Sequence, residues 1–311
     1  MDELAIIAPR SVGIGIGIVA PSGYAPEPMA VDRAVTRLRA AGAHVTLFCH
    51  PADKFERFGA SDQERVAQLH AAANDPAIDI VIALRGGYGV SRILPMLDFN
   101  LLAQSGKLFV GHSDFTAFQM ALLAATNAGS FAGPMICDDF GRDVPSQFTL
   151  DHFWRCLHSD SITLTSDHAC SKSVQVTGRL WGGNLAMLSH LVGSPYLPDI
   201  DGGILFLEDI NEHPFRLERM LLQLMHAGVL HKQKAIVLGD FSGGRVSEYD
   251  NGFDVESVIA HIRERISVPV VTGLQFGHVV DKLTLPIGAQ ATLSTDAQGW
   301  SLHVQSYPRL R

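Results

Sequence analysis

The stretch KLFVGHSDFTAFQMALLAATNAG, residues 107–129, joins two apolar runs of different length through a polar turn. The first run, LFV, has the character of a buried strand, whereas the second is long enough for a helix. The turn between them contains Gly111, His112, Ser113 and Asp114. A buried strand that passes directly into a helix is the repeating unit of a parallel α/β sheet. The stretch therefore predicts Ser113 at the carboxyl end of a strand.

The same alternation continues toward the N-terminus. Apolar runs predict strands within residues 14–23, 43–48 and 79–89. Helices are predicted over residues 27–42 and after an S-x-x-E capping box at residues 61–64. This rhythm predicts a doubly wound parallel sheet, in which ligands bind beyond the carboxyl ends of the strands. Four predicted strands end in segments of that kind: APSG, RGGYG, GHSD and AGPM.

The alternation fails between about residues 140 and 170, where the sequence is mixed and polar. We therefore predict an N-terminal α/β domain over residues 1–150 and a second domain over residues 165–311, with residues 151–164 as the linker. In the second domain, residues 282–295 alternate between polar and apolar side chains, as antiparallel strands do. The expected fold class is α/β, a doubly wound parallel domain followed by a mixed β/α domain.

The chain has 311 residues, 47% apolar residues and a formal net charge of −8, which argues against a nucleic-acid or anionic-membrane partner. No apolar run reaches the roughly 18 residues of a membrane helix, and no basic region precedes the first apolar stretch, so we expect a cytoplasmic protein. The cysteines indicate neither a disulfide framework nor a zinc site, because they are scattered. They are Cys49, Cys137, Cys156 and Cys170. We expect no metal and no cofactor.

Ser113 is the first candidate for a catalytic residue. A serine hydroxyl needs exposure and a neighbouring base to act as a nucleophile, and a sharp strand-to-helix turn gives that exposure. The motif resembles the G-x-S-x-G nucleophile elbow, with Phe115 in place of the second glycine. The alternative is structural, with Ser113 as the N-cap of a helix that starts at Asp114.

An imidazole and a carboxylate would have to complete such a site. Among the fourteen histidines, His278 follows an apolar run and a glycine, so a strand end would display it. Glu208 ends the apolar run GILFLE, where a buried carboxylate needs a partner. Sequence spacing does not rank the competing carboxylates, which are Asp114, Asp138, Asp139, Asp209 and Asp240.

The glycine-rich segment RGGYG lacks both the P-loop signature and the G-x-G-x-x-G spacing, so nucleotide binding is a weak interpretation. Its N–H groups at Gly86 or Gly87 would instead complete an oxyanion hole with the N–H of Asp114. Nearby Arg85 is the first candidate for binding a substrate carboxylate, before Arg92 and Arg216. Asn184 either binds a peptide substrate or caps the helix that follows it, and Trp181 is expected to pack at the domain interface.

Five motifs, in this order, resemble the LD-carboxypeptidases, a family of serine peptidases that includes the murein tetrapeptide carboxypeptidases and the microcin immunity peptidases. The motifs are RGGYGVSRILP, GHSDFTAFQ, WGGNLAML, ILFLEDINEHPFRLERML and GLQFGH. The resemblance runs from about Ile14 to the C-terminus, and residues 1–13 look like an extension. It implies a triad of Ser113, Glu208 and His278 that acts through an acyl-enzyme.

The resemblance also implies a fold and a substrate. The fold would be a flavodoxin-like N-terminal domain with a mixed β/α C-terminal domain, in a cytoplasmic homodimer. The reaction would release the terminal D-alanine from L-Ala-D-Glu-meso-diaminopimelate-D-Ala, free or attached to a muramyl sugar, in peptidoglycan recycling.

Three alternatives stay open. A microcin-immunity-type peptidase would act on aminoacyl-nucleotide toxins and would need an aromatic residue for the adenine, but the aromatic residues after position 140 do not decide this. A metal-dependent hydrolase would use His112, Asp114, Glu208 and His213, although the H-E-x-x-H spacing is absent. A non-catalytic protein that binds muropeptides is the alternative outside the enzymes.

Overall fold

The computed structural model describes residues 13–170 and 173–310. Nearly all of the expected N-terminal extension therefore lies outside the described residues. The strands are β1 (Gly15–Val19), β2 (His44–Leu47), β3 (Ile80–Ala83), β4 (Leu108–Gly111), β5 (Ser130–Ala132), β6 (Ser161–Ser166), β7 (Val174–Asn184), β8 (Ile204–Glu208), β9 (Ala235–Leu238), β10 (Val270–Val271), β11 (Leu285–Ile287), β12 (Gln290–Asp296) and β13 (Gly299–Gln305). The helices are α1 (Pro28–Ala40), α2 (Asp62–Asn74), α3 (Val90–Ile93), α4 (Phe99–Gln104), α5 (Thr116–Thr126), α6 (Gln147–His158), α7 (Leu185–Leu191), α8 (Pro214–His226) and α9 (Val255–Arg265).

The first sheet has the strand order β11-β5-β4-β3-β1-β2. Strands β1 to β5 are parallel, in the 2-1-3-4-5 order of flavodoxin-like folds. Their side chains are buried along β1, β3, β4 and β5, as strands covered on both faces require. This sheet confirms the predicted α/β class, and it brings the ends of β1, β3 and β4 to one edge.

The second sheet has the order β10-β9-β8-β7-β12-β13-β6. Strands β7 to β10 are parallel, and β12, β13 and β6 continue the sheet in antiparallel pairs. The predicted mixed β/α half is therefore correct. Glu208 is the last residue of β8, so its carboxylate lies at the carboxyl edge of the parallel part.

Strand β11 joins the two halves of the molecule. The alternating pattern of residues 282–295 predicts strands of the second domain, yet β11 pairs antiparallel with β5 at the edge of the first sheet, with Leu285 opposite Ala132. The chain thus crosses between the sheets shortly after His278. This crossing carries the histidine toward the sheet that holds Ser113.

Residues 151–164, the expected linker, form most of helix α6 and the first part of β6. Although their composition is mixed and polar, these residues form an amphipathic helix whose buried face includes Phe153, Trp154 and Leu157. Helix α6 packs on the first half of the chain, since Phe153 contacts the ring of Phe140. Strand β6 belongs to the second sheet. We therefore propose that the domains divide near residues 159–160.

Helix boundaries follow the local signals in most places. Ser61 and Glu64 form the predicted capping box at the start of α2. Helix α5 ends at Thr126, because Asn127 adopts the left-handed conformation at φ 61°. None of the helices in the described ranges has both the length and the apolar character needed to cross a membrane.

Candidate active site

Ser113 occupies a strained position between β4 and α5. It opens a short 3-10 turn, Ser113–Phe115, and has a φ of +62°, which is unusual for a residue with a side chain. A Cβ at Gly111 would lie 2.7 Å from the Phe115 ring, so the chain before the turn needs a glycine there. The N-cap alternative is wrong, because Ser113 is the first residue of the 3-10 turn, whose N-cap is His112, and because a φ of +62° is not the extended conformation of a cap.

His278 joins Ser113 to Glu208. Its Nε2 lies 3.0 Å from Ser113 Oγ, and its Nδ1 lies 2.9 Å from Glu208 Oε2. The carboxylate accepts the Nδ1 proton, so the Nε2 lone pair faces the serine hydroxyl. The three side chains that sequence reasoning selected are thus hydrogen-bonded in series, although 165 residues separate the serine from the histidine.

The loop that carries His278 differs from the expected strand end. Strand β10 stops at Val271, and the chain then runs beside the end of β9 through hydrogen bonds from Leu274 N to Leu238 O and from Asp240 N to Phe276 O. Gly277 has a φ of +139°, and a Cβ there would lie 3.2 Å from Glu208 Oε2. Glycine thus lets the loop turn close to the carboxylate.

Glu208 is fully buried, and Asn184 supports it. Asn184 Nδ2 lies 3.2 Å from Glu208 Oε1 and 3.2 Å from Asp209 Oδ1. Asn184 Oδ1 accepts the N–H of Met187 and caps α7. These bonds occupy the side chain, which is 5% exposed, so the expected contact of Asn184 with substrate is corrected to a cap and a carboxylate support.

The competing carboxylates have other partners. Asp114 Oδ2 accepts hydrogen bonds from Ser22 Oγ at 2.7 Å and Val90 N at 3.0 Å, and burial raises its pKa. Asp209 accepts the N–H groups of Ala186 and Ile210, and burial raises its pKa to about 6. Asp139 accepts hydrogen bonds from Met135 and Lys282, and Asp240 accepts one from Ser242. Asp138 is exposed.

The pKa of the His278 imidazole is raised above its ordinary value of 6.5. Burial acts to lower this pKa, but the hydrogen bond and the charge of Glu208 outweigh it. The buried carboxylate therefore favours the imidazolium, the form that arises when His278 takes a proton from Ser113.

A second imidazole lies beside the first. The ring centroids of His112 and His278 are 5.2 Å apart, edge to face. His112 Nδ1 donates to Gly133 O at 2.9 Å, so its Nε2 is the unprotonated nitrogen when the ring is neutral. Burial, then the charges of Lys282 and His278, lower the pKa of His112 well below 6.5, which keeps it neutral.

A cavity of about 220 Å³ opens beside Ser113 and His278. Its lining residues include three cationic side chains and one exposed acid, Asp138. The cations are Arg85, Arg142 and Lys282, of which sequence reasoning found Arg85 alone. Gly86 and Gly87, the candidates for the oxyanion hole, both line the cavity.

Gly86 packs directly against Ser113. A Cβ on Gly86 would lie 2.7 Å from Ser113 Cβ and 3.7 Å from the Asp114 nitrogen. The glycine loop after β3 and the turn after β4 are thus in contact, which a larger residue at position 86 would prevent. This contact places the glycine loop close to the Asp114 nitrogen, so the two segments expected to form the oxyanion hole are neighbours.

Two expected substrate contacts are corrected. Arg216 is on α8, pairs with Glu212 and does not line the cavity. Arg92 pairs with Asp62 on the surface. Trp181 is fully buried and donates to Gln233, in keeping with a packing role.

The residues of the metal alternative are not gathered into a metal site. His213 caps α8 and pairs with Asp250. Across residues 13–170 and 173–310, no three His, Cys, Asp or Glu side chains are grouped so as to hold a metal ion.

A serine on a strained strand-to-helix turn, bonded to an imidazole that a buried carboxylate orients, is the arrangement of hydrolases that act through a serine nucleophile. Comparison with known proteins narrows this class. The family model described as LD-carboxypeptidase N-terminal domain matches residues 16–133, and the one described as LD-carboxypeptidase C-terminal domain matches residues 177–293. The chain belongs to the LD-carboxypeptidase family, a family of peptidases.

Similar proteins match between about three quarters and nearly all of the chain. The crystal structure of muramoyltetrapeptide carboxypeptidase from Oxalobacter formigenes is 51% identical, with a TM-score of 0.90 over 94% of this chain and 99% of that chain. The probable murein peptide carboxypeptidase of Bacillus subtilis is 30% identical over 92% of this chain and 91% of its own length. The microcin C7 self-immunity protein MccF of Escherichia coli is 27% identical over 78% of this chain and 79% of its own length.

Proposed function

We propose that this protein is a serine LD-carboxypeptidase that releases the terminal D-alanine of murein tetrapeptide. The observation that carries the proposal is the pair of hydrogen bonds by which His278 links Ser113 Oγ to Glu208. The substrate follows from family membership and from the muramoyltetrapeptide carboxypeptidase that is 51% identical. The microcin-immunity activity receives less support, because MccF structures are 25% identical.

In the acylation step, His278 Nε2 takes the proton of Ser113 Oγ as the oxygen attacks the carbonyl of the L-configured diaminopimelate centre. The Asp114 N–H and the N–H of Gly86 or Gly87 stabilise the oxyanion. Glu208 stabilises the imidazolium, which then protonates the nitrogen of the departing D-alanine. The C–N bond breaks and an ester of Ser113 remains.

In the second half of the reaction, water takes the place of D-alanine. His278 removes a proton from this water, which attacks the ester carbonyl, and then returns the proton to Ser113 Oγ. The products are the tripeptide and D-alanine. Each step uses the same three side chains, so no metal or cofactor enters the proposed reaction.

One assay tests the function and its stereochemistry together. The protein is incubated with L-Ala-D-Glu-meso-diaminopimelate-D-Ala, with the analogue ending in L-Ala, and with a pentapeptide ending in D-Ala-D-Ala. We expect release of the terminal alanine, in either configuration, from the first peptide alone. Binding of the tetrapeptide without any release would instead support a non-catalytic muropeptide-binding protein, and cleavage of an aminoacyl-nucleotide alone would support the microcin-immunity activity.

We also infer that the protein acts in the cytoplasm, as a homodimer, in peptidoglycan recycling, as the family resemblance implies. Sedimentation of the full chain tests the oligomeric state. Fractionation of the cells that produce it tests the location.

The pH profile gives a further prediction. Because His278 acts as a base only when neutral, kcat/KM should rise with pH through an apparent pKa above 6.5, the ordinary value for this residue. The direction of this shift follows from Glu208, which stabilises the protonated imidazole, so His278 stays protonated up to a higher pH. Rates measured from about pH 5 to about pH 9 check this. The Asp209→Asn variant is the control for the neighbouring carboxyl, whose pKa is raised to about 6 and whose charge makes a smaller contribution to the raised pKa of His278; its acid limb should move only slightly, to lower pH. A wild-type limb at 6.5 or below would contradict the prediction.

A further inference from the structure

The cavity beside Ser113 has an excess of positive charge that the triad does not use. Arg85, Arg142 and Lys282 line it, against the single exposed Asp138. A carboxypeptidase must distinguish a free C-terminal carboxylate from a continuing chain, and a cation in the leaving-group region makes that distinction. The three cations are therefore the candidates for this recognition.

The chemistry of the leaving group limits where the cation can be. His278 Nε2 must protonate the nitrogen of D-alanine, and the carboxylate carbon is only two bonds from that nitrogen. The recognising cation therefore belongs on the His278 side of the cavity. Lys282 follows His278 by four residues, lines the same cavity, and carries a charge that lowers the pKa of both His278 and His112.

Lys282 is held in place by its surroundings. Its Nζ lies 2.7 Å from Asp139 Oδ1, and both side chains are 2% exposed. Asp139 Oδ2 accepts the N–H of Met135, and Lys282 N donates to Thr149 Oγ1. The ammonium has three donors, and within the described ranges one side-chain hydrogen bond engages it. Burying an ion pair whose ammonium has N–H groups without a partner lowers the stability of the fold. A role of these N–H groups in binding an anion explains why the pair is retained.

The neighbouring groups fit the role less well. A Cβ on Gly23 would lie 3.2 Å from Arg85 Nη1, so this guanidinium faces the loop after β1. Arg142 Nε donates to Asp138 O at the cavity rim. His112 donates its only proton to Gly133 O, and its remaining nitrogen is an acceptor, which repels a carboxylate.

We propose that Lys282, positioned by Asp139, binds the C-terminal carboxylate of the departing residue and so restricts the enzyme to removing one residue from a free C-terminus. This inference rests on the proposed function, because it assigns the leaving-group end of the same site. Asp139 is a positioning residue that holds the ammonium and does not itself contact the substrate.

The test compares two tetrapeptides that differ at one group, one ending in D-alanine and the other in D-alaninamide. The readout is the ratio of kcat/KM for the acid to kcat/KM for the amide. We expect the wild-type ratio to be about 100 or more, and we expect Lys282→Met to lower it about 100-fold, because one charge-assisted contact is lost. Since Lys282→Met leaves Asp139 buried and unpaired, the double variant Lys282→Met/Asp139→Asn is measured beside it, with thermal unfolding as the check on folding.

The matched controls are Arg85→Met and Arg142→Met, which remove a cation from the same cavity. An unchanged ratio in the folded double variant, or a loss confined to either arginine variant, would overturn the assignment of Lys282. So would a wild-type ratio near 1.

Binding separates this proposal from the proposed function. Calorimetry with the Ser113→Ala variant compares affinity for the acid and the amide, with and without Lys282→Met. Preference for the acid that depends on Lys282, in a protein whose wild type releases no D-alanine, would support the carboxylate site and overturn only the proposed reaction. Equal binding of both peptides would overturn the carboxylate site.

Discussion

Ser113→Ala should reduce kcat for the release of D-alanine by about 10⁴-fold or more, because the members of a catalytic triad act as a unit and the remaining groups only bind and polarise the substrate. Thermal unfolding should stay close to that of the wild type, since the hydroxyl makes one described side-chain hydrogen bond, to His278. Release of D-alanine followed by mass spectrometry, with the substrate in excess, measures the rate. The double variant Ser113→Ala/His278→Ala should lose little more.

The backbone at Ser113 supplies a matched control. Alanine at this position keeps the strain of φ +62°, whereas glycine relieves it. Ser113→Gly should be as inactive as Ser113→Ala but more stable by about 1 kcal/mol, measured by denaturant unfolding. Normal turnover in either variant would remove Ser113 from the mechanism, and equal stabilities would show that the turn is not strained.

The fold was largely predictable because its signals are local. Alternation of buried strands with helices predicts the parallel sheet, and the capping box at Ser61 marks the start of α2. Strand β11 was predicted as a strand but assigned to the wrong sheet, because alternation over three residues does not indicate which sheet they join. Pairing of β11 with β5 depends on the tertiary structure, which the local pattern of polar and apolar residues does not predict.

The candidate site was predictable to the extent that its residues follow strand ends. Ser113 and Glu208 end apolar runs, and that signal places them at sheet edges. Lys282 gave no such signal, because it opens an alternating segment in which a lysine is usually exposed. Its burial depends on Asp139, which is 143 residues away in the sequence.

The misassigned contacts have a common cause. Asn184 and Arg216 were selected for their chemistry near sequence motifs, but each has a nearer partner in the fold. Asn184 donates a hydrogen bond to Glu208 in the interior of the protein, and Arg216 pairs with Glu212, which lies just before the helix of Arg216. The type of side chain alone did not distinguish a residue that lines the cavity from one that holds a cavity residue in place.

Glu208→Gln should lower kcat/KM about 10⁴-fold while the fold remains, because an amide cannot both keep the His278 tautomer and stabilise the imidazolium. Asn184 Nδ2 already donates to Oε1, so glutamine would orient its oxygen toward Asn184 and its NH₂ toward His278. That orientation would favour the tautomer with the proton on Nε2, which cannot accept the proton of Ser113.

The residual activity of Glu208→Gln should also have a different pH profile. With the carboxylate gone, burial and the charge of Lys282 lower the pKa of His278, and of the charges that raise this pKa the smaller one, on Asp209, remains; the acid limb should therefore move to lower pH than in the wild type. The control is Asp209→Asn, which removes the adjacent carboxylate that also contacts Asn184 but does not contact His278, and which should cost less than about 10-fold. A Glu208→Gln enzyme with near-normal kcat/KM, or one whose acid limb moves to higher pH, would show that this carboxylate does not orient and charge-stabilise the imidazole.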